Sequence, residues 1–137
     1  MALSMGYRDL LSKAENCVSA VTPDQASHGM YNPDVVLVDI RDIRELEKSG
    51  QIPGAFHAPR GMIEFWVDPE SPYFKPIFGK DKSFIIYCDS GWRATLAAAT
   101  LAEMGLTSVN YLKGGFNGWK ASGYPVEPVA KEALVLS

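Results

Sequence analysis

The chain has 137 residues, 47% of them hydrophobic and 21% charged, with a net charge of −3. That is the balance of an ordinary globule, and the length suits one domain with one buried core. Lysines and arginines are scattered, which argues against a nucleic-acid footprint, and no run approaches the roughly 20 apolar residues of a membrane span.

From the amino end, the apolar spacing of Tyr7, Leu10, Leu11 and Ala14 predicts a helix from Tyr7 to Cys17, with Cys17 on its apolar face. This forms an amino-terminal extension over residues 1–17. Charged residues interrupt it at Arg8, Asp9, Lys13 and Glu15, unlike a signal peptide. Val18–Val21 reads as a short strand, and Thr22-Pro23-Asp24-Gln25 carries the cap, first-turn proline and acid of a helix start. Val35–Val38 is apolar at every position, the mark of a parallel strand buried on both faces. A charged helix over Asp42–Ser49 ends at Gly50, and Ala55–Ala58 forms a brief strand. Residues 59–78 break the pattern. Their prolines and aromatics predict an irregular segment with a helical turn or two near Gly61–Trp66, either a lid or wall packed near the active loop or a surface Ω-loop stapled by its own aromatics. Alternation resumes with strand Phe84–Tyr87, helix Arg93–Met104, strand Val109–Leu112 and helix Phe116–Ala121. Strands alternating with helices imply a parallel sheet covered on both faces.

The chemistry concentrates where the strand Phe84–Tyr87 gives way to the alanine-rich helix. Cys88-Asp89-Ser90-Gly91-Trp92-Arg93 joins them, placing a thiol where unpaired amides converge at a helix start. In such a setting a thiol is expected to ionise near neutral pH. Gly91 permits the backbone curl that would aim amides at the sulfur, and Arg93 adds a fixed charge. Asp39, like Cys88, ends an apolar strand, so both belong to the carboxyl edge of the sheet, where open α/β folds bind ligands. Asp39 and Arg41 read as a buried ion pair bracing the loops, and Gly114-Gly115 as the turn into a last helix whose Trp119 is core. The two histidines, His28 and His57, are isolated from the cysteines, and no metal-ligand spacing exists. Neither a metal nor a cofactor is expected.

Cys88–Arg93 with the preceding Phe84-Ile85-Ile86-Tyr87, the later Tyr111–Trp119, Val35–Arg41 with its Asp-x-Arg ending, and Gln51-Ile52-Pro53-Gly54-Ala55 together resemble the rhodanese family. The resemblance runs from about Val18 to Val126. It leaves the amino-terminal helix and a tail over 127–137 outside a rhodanese-like domain at 18–126. It implies a three-layer α/β/α fold with a central, mainly parallel five-stranded sheet flanked by helices.

The resemblance implies a sulfurtransferase of the thiosulfate type. A sulfane sulfur would pass from a small anionic donor such as thiosulfate to a thiol or cyanide through a Cys88 persulfide. The acceptor thiol would belong to a small molecule or a protein, in a reducing cytoplasm, without nucleic acid or membrane. Cys88 is the expected catalytic residue; Asp89, Ser90, Gly91, Trp92 and Arg93, with Arg60 as a second cation, form the expected substrate site. Related phosphatase and arsenate reductase loops place the arginine one residue farther from the cysteine. The shorter cradle here fits one sulfur better than a tetrahedral oxyanion. A sulfur relay or a non-catalytic binding module is the rival from another class.

Overall fold

A computed structural model of the protein describes residues 1–130. Five strands form one wholly parallel sheet: β1 (Ala20–Val21), β2 (Val35–Asp39), β3 (Phe56–His57), β4 (Ser83–Tyr87) and β5 (Val109–Leu112). Their spatial order is β1-β5-β4-β2-β3. The three longer strands are central, with Val35 to Asp39 in register against Ser83 to Tyr87. Both edge strands are two residues long.

Alternate side chains of β2 and β4 enter two cores, as a strand period of two requires. On one face Val38, Phe84 and Ile86 meet Ala94, Ala97, Ala98 and Leu101 of α5 (Trp92–Glu103). The alanines let α5 lie close to the sheet. On the other face Leu37, Ile85 and Tyr87 meet Ala26 of α2 (Pro23–Gly29) and Phe116 and Trp119 of α6 (Gly115–Ala121). The three-layer α/β/α arrangement expected from the alternating pattern is the one observed.

The irregular segment is an integral wall of the first core. It forms α4 (Ile63–Val67) and a 3-10 turn at Pro76–Gly79, contributing Ile63, Val67 and Phe78. Phe78 stands edge-on to Phe56 and stacks on Phe84, so its aromatics are tied to two strands. A short helix, α3 (Ile43–Ser49), follows β2 and is capped by the Asp42 side chain.

The amino-terminal helix, α1 (Tyr7–Glu15), packs along α5 through the buried Leu11 and Ala14. It ends two residues before the expected boundary. Cys17 therefore lies past the helix and is exposed, not packed on an apolar face; its thiol donates to the Lys13 carbonyl at 3.4 Å. At the other end Glu127 and Gln51 form an antiparallel bridge through both backbones, reinforced by their side chains at 2.9 Å. Residues 131–137 of the expected tail lie outside the described residues. No helix among the described residues is long and apolar enough to cross a membrane.

Candidate active site

Tyr87 closes β4, and the chain reverses through residues 88–91 before α5 begins at Trp92. Cys88 is 1% exposed and belongs to the α5-side core. Its sulfur accepts the Gly91 N–H at 3.2 Å. Gly91 holds this position with φ +129°, a conformation strained for any residue with a Cβ. Thr95, nearly buried one turn into α5, anchors the other side of the same glycine: both its N–H and its hydroxyl donate to the Gly91 carbonyl, at 2.9 and 2.8 Å.

The rest of the loop is fastened to α6. Phe116 N–H donates to the Cys88 carbonyl at 2.8 Å, and Asn117 N–H to the Asp89 carbonyl at 3.0 Å. These are unpaired amides of a helix's first turn, satisfied here by loop carbonyls. Because each peptide is planar and trans, turning the carbonyls toward α6 turns the Asp89 and Ser90 N–H groups away from it. The approach is close enough that a Cβ on Gly115 would lie 2.6 Å from the Asp89 oxygen and 2.7 Å from the Cys88 oxygen. Gly115 is thus the contact point of helix and loop, a role absent from the reading of Gly114-Gly115 as a simple turn.

At the end of the neighbouring strand β2, in register with Tyr87, lies the Asp39–Arg41 pair, both side chains wholly buried. Arg41 Nε and Nη2 donate to the Asp39 carboxylate at 2.7–3.2 Å, and Nη2 also to the Gly50 carbonyl at 2.7 Å. The guanidinium lies 4.2 Å from the Phe116 ring centroid. His57 Nε2 is 2.8 Å from the Arg41 carbonyl. Tyr87 accepts the Ile52 N–H on its hydroxyl, and burial raises its pKa. The pair braces the loops, as its strand-end position implies.

The remaining expected binding residues are differently engaged. Arg93 follows the loop, but its two terminal nitrogens bind both oxygens of Glu45, each at 2.9 Å. That bidentate pairing holds the Glu45 carboxyl below its ordinary range and raises the Arg93 pKa. Its charge is therefore matched rather than free. Arg60 likewise binds both oxygens of Glu64, one helical turn on, and faces a groove between α1 and α5. Asp89 accepts from the Asn117 side chain at 3.3 Å. Trp92 projects outward at 61% exposure and meets Tyr7 of α1, ring centroids 5.1 Å apart. Sequence reasoning missed Glu45, Thr95, Gly115 and Asn117. Thr95 had a local signal, a hydroxyl four residues after a loop glycine, and Glu45 had one for its cap on Asp42 but none for Arg93.

The Cys88 sulfur thus lies buried at a strand end, touched by a glycine amide and followed at once by a helix start. A model of the rhodanese-like domain matches residues 22–122, and the chain belongs to that family. The thiosulfate sulfurtransferase GlpE of Glaesserella parasuis is 36% identical over 113 residues, covering 82% of this chain and 96% of the relative. A sulfurtransferase of Allochromatium vinosum is 38% identical over 93 residues, 68% of this chain and 78% of that one. Among solved structures, a Rhodopseudomonas palustris protein described as of unknown function and a possible tyrosine phosphatase superposes with a TM-score of 0.88. It is 46% identical, over 93% of this chain and 98% of its own.

Proposed function

We propose that the protein is a sulfurtransferase that carries sulfur on Cys88. The Cys88 thiolate attacks the outer sulfur of a donor such as thiosulfate. The donor's S–S bond breaks, sulfite leaves with the electron pair, and a Cys88 persulfide anion remains. An acceptor thiolate or cyanide then attacks the terminal sulfur, forming its own persulfide or thiocyanate and returning the Cys88 thiolate. Each step takes up one anionic nucleophile and releases one anion, so the cycle regenerates the Cys88 nucleophile in the form that attacks.

The observation that carries this reading is the Gly91 N–H aimed at the Cys88 sulfur. An amide so placed stabilises negative charge on the attacking sulfur, and Thr95 anchors Gly91 through its carbonyl. The sulfurtransferase relatives support the reaction class, and the free thiol suits a reducing cytoplasm.

Intact-mass measurement after thiosulfate treatment tests it. The parent gains one sulfur atom, removable by cyanide; Cys88→Ser gains none, and Cys17→Ser loads like the parent. Sulfur retained by Cys88→Ser would refute the assignment. Aryl phosphate hydrolysis dependent on Cys88, with no sulfur loading, would place the protein with the phosphatases instead.

A further inference from the structure

The surroundings of Cys88 fit poorly with a small dianion. Arg93 is the one cation of the loop, and Glu45 matches it through two hydrogen bonds. Asp89 adds a carboxylate beside the sulfur in sequence. At neutral pH these three side chains carry a net negative charge, which opposes a doubly charged donor more than a singly charged one.

Apolar surface takes the place of free charge. Trp92 immediately follows the glycine whose amide touches the sulfur, and its ring is 61% exposed. Tyr7 leans on it at 42° with half its own surface exposed, so the two rings form an open aromatic wall. Beside them is a hollow of about 420 Å³, lined also by Arg8, Leu11, Ser12 and Glu15. Arg8 and Glu15 bring opposite charges, so the hollow offers no net attraction to an anion. Tyr7, Arg8, Leu11, Ser12 and Glu15 all belong to α1, which precedes the span that the family model matches.

We infer that Tyr7, with Trp92, forms a specificity wall selecting organic sulfane-sulfur donors with an aromatic body over inorganic thiosulfate. The inference rests on the sulfur-transfer reading of Cys88. An aryl thiosulfonate is the matching class: an aromatic ring replaces one charged oxygen of thiosulfate, leaving a single negative charge and the same outer sulfur. Attack by the Cys88 thiolate breaks its S–S bond, releases an aryl sulfinate with the electron pair, and leaves the same persulfide. The ring rests against Tyr7 and Trp92 while the outer sulfur reaches Cys88.

The test compares kcat/KM for benzenethiosulfonate and thiosulfate in the full chain, its Tyr7→Ala variant and its Tyr7→Phe variant. The parent favours benzenethiosulfonate. Tyr7→Ala lowers the ratio of the two constants about three- to tenfold, the worth of one aromatic contact, and Tyr7→Phe restores it. Tyr7 is half exposed, while Leu11 and Ala14 seat α1, so the variants keep the fold. A ratio unmoved by Tyr7→Ala, or an equal loss with both donors, would overturn the inference while leaving Cys88 as the sulfur carrier. Failure of the parent to load Cys88 from either donor would overturn both readings.

Discussion

Glu45 does two jobs with one carboxylate. It accepts the Asp42 N–H at 2.8 Å, completing the cap of α3, and it binds Arg93 across the site. Because Arg93 holds the Glu45 pKa down, the pair stabilises the fold fully above the ordinary carboxylate range. That contribution is lost as pH falls through the lowered value. Both side chains are about a third exposed or more, so solvent screening limits it to less than about 1 kcal/mol. Glu45→Gln lowers Tm at neutral pH, and thermal melts of the two proteins converge in acid. The same change frees Arg93 to meet an anion, so kcat/KM for thiosulfate rises about two- to fivefold, as roughly 0.5–1 kcal/mol of regained attraction predicts. An unchanged or lower value would show that Arg93 does not face the donor. The cap was legible at its three-residue spacing, but the pairing was not: Glu45 and Arg93 are 48 residues apart, and only the fold brings α3 beside the loop. The pairing of Arg60 is of a different kind, because its partner Glu64 lies at ordinary helical spacing and was there to be read.

At the scale of elements, the docking of α6 on the Cys88 loop is the contact that matters most for the site. It depends on Gly115, whose φ of +60° and whose closeness to two loop carbonyls both exclude a side chain. Gly115→Ala must push α6 and the loop apart, costing about 2–4 kcal/mol by strain and overpacking. The folded fraction should transfer sulfur more slowly. Gly114 is the control: it too has positive φ, but its nearest neighbour would be an ordinary 3.4 Å away. Gly114→Ala should destabilise by about 1–2 kcal/mol and leave transfer per folded molecule near the parent's. Urea melts and activity normalised to folded protein distinguish the two. The elements themselves were readable because their signals are local: the apolar run of β2, the Thr22-Pro23 start of α2, the alanines of α5. The amino-terminal helix was read too long because Cys17 shares the apolar spacing, while Asn16 already caps the turn through its N–H. The site's central piece, Cys88 at a strand-to-helix turn with Gly91, was legible for the same local reason. The angle at which α6 meets that loop was not, since it is set by a packing contact across the sheet edge.

Across the whole molecule, the buried Asp39–Arg41 pair links β2 to the segment around Gly50 and to Phe116 of α6. Removing either charge strands the other in the core. Asp39→Asn and Arg41→Met should each cost about 3–5 kcal/mol, whereas the double variant costs clearly less than their sum. Denaturant unfolding followed by fluorescence measures all three, with the wholly buried Trp119 as a core probe. Additive losses would mean the two residues act separately. The order of the strands has a consequence of another kind. A sheet that ends on both sides in a two-residue strand offers almost no free ladder to a further chain. The Gln51–Glu127 bridge also occupies backbone just before one of those edges. Such blunted edges resist edge-to-edge aggregation and disfavour β-augmentation by a visiting peptide. Among the described residues, helices and loops thus offer a visiting macromolecule far more surface than the strand edges do.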